Sequence, residues 1–396
     1  MKKFIYPALS ALLLACSPKL DRSVMPSPGA APNITIGDIQ SFTTDNGLKV
    51  FVVENHKLPR VSFSLQFNYD PMLEGPMAGM GDLTGELMGT GTTNRSKDEI
   101  NESIDFIGAS LNTGAGYVSG SSLKKHQNEL LDVMADVVLN PAFTQEELDK
   151  IKKQYISNLA QAQDDPSSIA SNVRRVLNYG SDHPYGELAT KESIEAVSLE
   201  ACQRFYQAFY RPNIAYLAIV GDINAEEAKA LVAKYFGDWK KAEVPSFEYP
   251  TPTAPEQTEV ALVNKNGAVQ SVINITWPID LKPGSEDAIA ASVLNAVLGG
   301  GSTARLFMNL RETYGFTYGA YSSLNTDELV GSFNASASVR NAVTDSAVVQ
   351  FFVEINRIRE EMVPADELQG VINGMTGQFA IALENPSTVA RFAINI

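Results

Sequence analysis

The sequence predicts an α+β protein made of two homologous domains, each a mostly antiparallel sheet with helices on one face, the second copy truncated. Three observations predict this. Glu147-Leu148 is followed 18 residues later by Pro166-Ser167-Ser168-Ile169-Ala170, and Glu367-Leu368 is followed, again after 18, by Pro386-Ser387-Thr388-Val389-Ala390, a constant offset of 220. At an offset near 210, Leu83–Gly91 matches Val293–Gly301, each an apolar helical run ending in glycines that suit helix C-caps. Strand and helix periodicities also alternate along the chain, the pattern of layered α+β units.

The elements follow in order. Lys2 and Lys3 precede a short apolar run from Phe4 to Ala15, the form of an export signal. Its roughly 12 apolar residues fall short of the about 20 that cross a bilayer. Leu13-Leu14-Ala15-Cys16 resembles a bacterial lipobox, which makes residues 1–15 a lipoprotein signal and Cys16 the lipidated residue. The expected location is therefore the bacterial cell envelope, at the outer membrane, with the lipid as the sole membrane attachment. Residues 16–40, with Met25-Pro26-Ser27-Pro28-Gly29, read as a flexible tether. Residues 41–243 form the first domain. Within it Leu130, Val133, Met134, Val137 and Val138 mark a helix. Ser198–Tyr210 marks another, Ile214–Val220 a strand, and a last helix reaches Tyr235. Pro245, Pro250, Pro252 and Pro255 make residues 244–258 a linker. Residues 259–396 form the second domain, where Phe333, Ala335, Ala337 and Val339 alternate with polar residues as a half-buried strand. Ile396 corresponds to position 176 of the first copy, so this copy is expected to lack the counterpart of Ile214–Val220 and its flanking helices.

Composition narrows the function. A formal charge of −15 opposes nucleic-acid binding, which needs a basic footprint. Hydrophobic content of 44% supports a packed interior. With Cys16 assigned to lipid, Cys202 has no partner and reads as a small buried hydrophobe. The three histidines, His56, His126 and His183, are 70 and 57 residues apart, which fits no helical ligand pair. Gly299-Gly300-Gly301 lacks the Gly-Lys-Ser/Thr ending of a phosphate loop. Asp82 and Glu86 alone fall short of calcium's usual coordination.

Three segments carry a resemblance. They are Gly79-Met80-Gly81-Asp82-Leu83-Thr84-Gly85-Glu86-Leu87-Met88, His183-Pro184-Tyr185-Gly186, and Gly299–Phe307 leading into Leu310-Arg311-Glu312-Thr313-Tyr314-Gly315-Phe316-Thr317-Tyr318. Together they resemble the pitrilysin/insulinase-type (M16) zinc peptidases over residues 40 to 396. In that family a helix bears His-x-x-Glu-His. The resemblance places the two histidines on Asp82 and Glu86, the glutamate base on Gly85 and the distant glutamate ligand on Ser157 or Asn158, counting back from Asp165-Pro166. Zinc takes imidazoles or thiolates with a carboxylate in tetrahedral array, and all four positions are replaced. No metal or other cofactor is expected on this chain. The arginine and tyrosine with which the family's second domain reaches across to a zinc site match Arg311 and Tyr318.

The resemblance implies a zinc-free subunit of a heteromeric peptidase. It would supply Arg311, Tyr318 and half of a peptide chamber to a homologous subunit with an intact His-x-x-Glu-His motif, where the zinc would sit. A guanidinium and a phenol are fixed donors for a substrate carbonyl and its developing oxyanion. Peptides are the implied substrates. The alternative is a non-enzymatic scaffold or a peptide-binding lipoprotein of the same fold.

Overall fold

The computed structural model describes residues 39–394; the signal, Cys16 and the tether up to residue 38 lie outside them. The first copy opens with β1 (Gln40–Thr43), β2 (Lys49–Glu54) and β3 (Arg60–Phe67), then α1 (Met80–Met88) and α2 (Lys97–Phe106). The hairpin β4 (Ser110–Gly114) and β5 (Tyr117–Leu123) leads to α3 (Gln127–Leu139), α4 (Gln145–Ala162), α5 (Pro166–Tyr179) and α6 (Lys191–Ala196). It closes with α7 (Leu199–Phe209), β6 (Ala215–Gly221) and α8 (Ala225–Phe236). Its sheet runs β1-β2-β6-β3-β5-β4, antiparallel except where β6 lies parallel to β2. The predicted strand thus falls one residue later than its apolar run suggests.

The second copy consists of β7 (Gln270–Ile279), α9 (Asp287–Gly299) and α10 (Arg305–Phe307), which continues into a π-helical turn at Met308–Thr313. β8 (Thr317–Asn325), β9 (Gly331–Arg340), α11 (Thr344–Glu360), α12 (Ala365–Ala382) and α13 (Pro386–Ile394) follow. Its sheet is the antiparallel set β7-β9-β8, and among the described residues no strand stands where β6 stands in the first sheet. The alternation in β9 holds: Phe333, Ala335, Ala337 and Val339 all enter the core.

Beyond the predicted layering, a helix from the other copy covers the second face of the first sheet. In β6, Leu217 and Ile219 point into the main core, whereas Ala218 and Val220 point the other way. That second face is covered by Val389 and Ala390 of α13, a helix of the other copy. A strand buried on both faces reads as a continuous apolar run, which is the composition of Ala215–Val220. Reciprocally α5, the repeat partner of α13, lies on β7, and its buried Asn178 donates from Nδ2 to Thr276 Oγ1 at 2.8 Å.

The glycines after the two apolar helices are C-caps, but not of the left-handed kind: Gly89 has φ −79° and Gly300 has φ −76°. Close packing explains their neighbours instead. A Cβ on Gly299 would overlap Ser322 of β8.

The His183-Pro184-Tyr185-Gly186 motif joins the copies. His183 is buried among the rings of Tyr179, Tyr185 and Tyr249. Tyr185 donates its hydroxyl to the Asp327 carboxylate, 2.8 and 2.9 Å from the two oxygens, and Asp327 also accepts from the Leu329 and Val330 amides in the β8–β9 turn. Tyr185→Phe leaves that carboxylate short of one donor and is expected to lower stability by about 1–3 kcal/mol, measured by denaturant unfolding.

Candidate functional site

α1 is the helix on which the sequence places a degenerate metal motif. Its N-terminus is held by Glu74, which the sequence reading did not single out. That carboxylate accepts from the amides of Gly79, Met80 and Gly81 at 2.5, 2.8 and 2.7 Å. An anion there satisfies the free N–H groups and complements the helix dipole. Burial nevertheless pushes the Glu74 carboxyl above its usual range, against the pull of those three amides.

Asp82 and Glu86 lie one turn apart on the exposed side of α1. The Tyr155 hydroxyl of α4 donates to Asp82 Oδ2 at 2.8 Å. Ser157 and Asn158 are exposed, and Asn158 Oδ1 accepts from Gln154 on its own helix at 2.9 Å. The residue of α4 that reaches α1 is therefore Tyr155, two and three positions before the matched ligand sites. His56 is hydrogen-bonded to Asp222 at 2.6 Å and His126 lies 3.3 Å from Glu129, both away from α1. These residues do not fit zinc: the donor set offers two carboxylates and a phenol, and no imidazole.

Gly85 closes the matter sterically. It is buried against the β4–β5 turn, and a Cβ at this position would overlap the backbone of Gly114 and Ala115. The place where a catalytic base would project is filled by main chain. The variant with Asp82→His, Gly85→Glu and Glu86→His is expected to bind no stoichiometric zinc by elemental analysis. Gly85→Ala alone is expected to lose about 1–3 kcal/mol of stability through overpacking, read from thermal or urea unfolding.

Burial, and then the neighbouring Asp82, push the Glu86 carboxyl above its usual range. A raised carboxyl binds its proton more tightly in the folded than in the unfolded chain. Stability on this account is present at acid pH and falls as pH rises through the carboxylate range and the folded value. Glu86→Gln is expected to raise the melting temperature near about pH 7 and to change it little near about pH 4, as checked by calorimetry at both values.

The second constellation is more open. Arg311 sits in the π-helical turn, an irregularity frequent at functional positions. Its guanidinium lies 4.8 Å from the Phe307 ring centre and 3.4 Å from Glu312. Tyr318 is 87% exposed at the start of β8. Gly315, at φ +63°, makes the turn between them.

A β-bulge aims Tyr318. Thr317 pairs with Val339 and Ala320 with Ala337, so three steps along β8 match two along β9. Thr317 Oγ1 stabilises the bulge, accepting from the Gly319 amide at 3.1 Å and donating to Ser338 O at 2.7 Å. Without the extra residue Tyr318 would share the face of Ala320, which is fully buried. With it, Tyr318 and Tyr321 line one groove of about 630 Å³ together with Arg174, Asn274 and Asn334. The Tyr321 ring lies tilted at 5.8 Å from that of Phe307, the ring under Arg311. Arg311 and Tyr318 are thus linked through Phe307 and Tyr321 rather than by a direct hydrogen bond among the described residues. Sequence reading missed Tyr321 and the bulge, although Gly319 inside a strand was their available signal. Arg305 anchors the segment, donating from Nε and Nη2 to the two Glu367 oxygens at 2.8 Å each.

Comparison with known proteins gives the context. Residues 49–180 match the insulinase (peptidase family M16) family and residues 196–375 match the peptidase M16 inactive domain. The uncharacterized zinc protease YmxG of Bacillus subtilis is 25% identical over 358 residues, 88% of this chain and 86% of that protein. The peptidase M16 inactive domain from Pseudomonas fluorescens has a similar structure, with TM-score 0.77, 23% identity and coverage of 87% of this chain and 86% of the other. The first half of the periplasmic protease PqqL from Escherichia coli superposes with TM-score 0.70 at 16% identity, over 90% of this chain and 82% of the other.

Proposed function

Since the chain belongs to the M16 family of insulinase-type peptidases, we propose that it is a zinc-free subunit of a two-subunit peptidase. The observation that carries this reading is Gly85, whose side-chain space is taken by the β4–β5 backbone, next to a motif with no imidazole. The partner is a homologous subunit with an intact His-x-x-Glu-His motif, and it holds the zinc. The present chain contributes half of a peptide chamber and is attached to the envelope membrane by lipid on Cys16. The likeness to one half of a larger periplasmic protease supports this division.

Arg311 and Tyr318 are the groups offered to the partner's substrate. Both are exposed, and both lie on elements whose irregularity serves their orientation: the π-turn for the guanidinium and the bulge for the phenol. A guanidinium donates in a fixed plane and a phenol along one O–H, which suits a carbonyl oxygen gaining charge. Arg311 would leave Glu312, an exposed neighbour whose hold in water is weak.

A second reading, a non-enzymatic scaffold or peptide-binding lipoprotein, is favoured by the intramolecular resting place of Arg311 on Phe307. Co-purification with a His-x-x-Glu-His homologue followed by a peptidase assay separates the two. In an active complex, Arg311→Ala and Tyr318→Phe are each expected to leave assembly intact and to lower kcat by about 10²–10³ with little change in KM. Full activity in both variants would leave only the scaffold.

A further inference from the structure

The groove that Tyr318 lines holds further donors with no task in the fold. It lies on the face of the second sheet turned away from Phe333, Ala335 and Ala337 and their core. The middle strand β9 is its floor, α5 and β7 stand along one side and β8 along the other. Asn274 pairs with Ser336 and Ser336 with Tyr321, so these three residues form one row across the sheet. Arg174 of α5 and Tyr318 of β8 line the two sides. The volume of about 630 Å³ is within the range of ordinary ligand sites, about 300–1,000 Å³.

Arg174 is the group that calls for a ligand. Like Arg95, Arg175, Arg211 and Arg305 it is at least half-buried. Those four spend their guanidinium groups inside the chain: Arg95 on Asp132 and Asp136, Arg175 on the carbonyls of Tyr185 and Glu187, Arg211 on the carbonyl of Gln207, and Arg305 on Glu367. Among the described residues Arg174 has no hydrogen bond and no ion pair. No aspartate or glutamate lines its groove, although acids outnumber lysines and arginines 46 to 31 in the chain. The two acids just before α5 are engaged elsewhere. Asp164 pairs with Lys265, and Asp165 caps the helix by accepting from the Ser168 amide and hydroxyl. A cation withdrawn from water without a counter-charge is costly, and a bound anion removes that cost.

We infer that this groove is a carboxylate subsite for peptides, with Arg174 as its specificity-determining residue. The guanidinium takes the carboxylate of an acidic side chain or of a peptide C-terminus through two parallel N–H donors. Asn274, Ser336 and Tyr321 offer hydrogen bonds to the peptide beside it. Tyr318 stands at the opposite side, so the bound carboxylate fixes which carbonyl the Tyr318 phenol meets. The net charge of −15 disfavours acidic peptides over the surface at large, which leaves the acid-free groove as the place that selects them. The inference rests on the reading of this groove as part of a peptide chamber.

The test is calorimetric titration of the intact chain with three octapeptides of one neutral sequence. The first carries a single glutamate and has both ends blocked. The second has glutamine in its place, and the third is the glutamine peptide with a free C-terminal carboxylate. The glutamate peptide is expected to bind one-to-one and at least about tenfold more tightly than the blocked glutamine peptide. A gain in the third peptide extends the site to chain ends, and a gain there alone assigns it to them. Arg174→Gln is expected to keep the melting temperature and to bring all three peptides to one affinity. Arg174→Lys, which keeps the charge without the fork, is expected to retain part of the gain. Equal affinity of all three peptides for the unaltered chain overturns the subsite and leaves the chamber reading standing. A carboxylate preference that survives Arg174→Gln overturns it as well. No saturable binding of any peptide overturns the subsite together with the peptide-chamber reading.

Discussion

The exchange of two helices between the copies is the constraint on which the rest of the structure depends. α5 and α13 are the same element at an offset of 220, and each lies on the sheet of the other copy. Neither sheet has both faces covered by its own helices. Ala218 and Val220 would be bare without Val389 and Ala390, and β7 would lose the helix that Asn178 ties to it. Burial of apolar surface is the main driving term in folding, so the two copies are interdependent. Tyr185 on Asp327 and Lys265 on Asp164, the latter at 2.5 Å, add polar connections along the same seam. The half-buried Tyr185 contact contributes the more, since the Lys265 pair is exposed and screened.

That frame places two related hairpins in opposite service. In the first copy the β4–β5 turn presses its backbone against Gly85, and the helix beside it keeps only carboxylates on its open side. In the second copy Ser322 of β8 instead donates to Asn295 of α9 at 2.8 Å, at the position equivalent to Gly85. The bulge before it turns Tyr318 outward. One hairpin shuts a site and the other presents a side chain. On the proposed function the chemistry lies on the second copy, around Arg311, Tyr318 and Tyr321, while the first copy's acidic helix is packed and capped.

Polar groups that look functional in the sequence divide along the same line. His183 is an aromatic-cage residue whose burial holds its imidazole below the ordinary range. Asp136, in α3, accepts from Thr92, Asn94 and Arg95 at 2.6 Å each and so fixes the loop after α1. Arg305 is spent on Glu367. Arg311 and Tyr318 differ in keeping their polar ends at the surface, where their partners within the chain are weak.

The two-copy α+β organisation was legible in the sequence because repeats and strand or helix periods are local properties. Phe333 to Val339 and Leu130 to Val138 went where their patterns put them. The residue types at 82, 85 and 86, two carboxylates and a glycine with no imidazole, are read from the sequence wherever the helix goes. Register and exchange were not. A bulge of one residue decides which face Tyr318 takes, and no composition rule fixes that residue in advance. Glu74 and Tyr155 meet α1 only through loop and helix placement. Val260 and Leu262 are exposed although their pattern is the same as that of the buried Val50 and Val52, because among the described residues no strand lies beside them as β6 lies beside β2. Local sequence determined which faces are apolar; only the tertiary structure decided what covers them, because burial is settled by whichever segment of polypeptide arrives to exclude water.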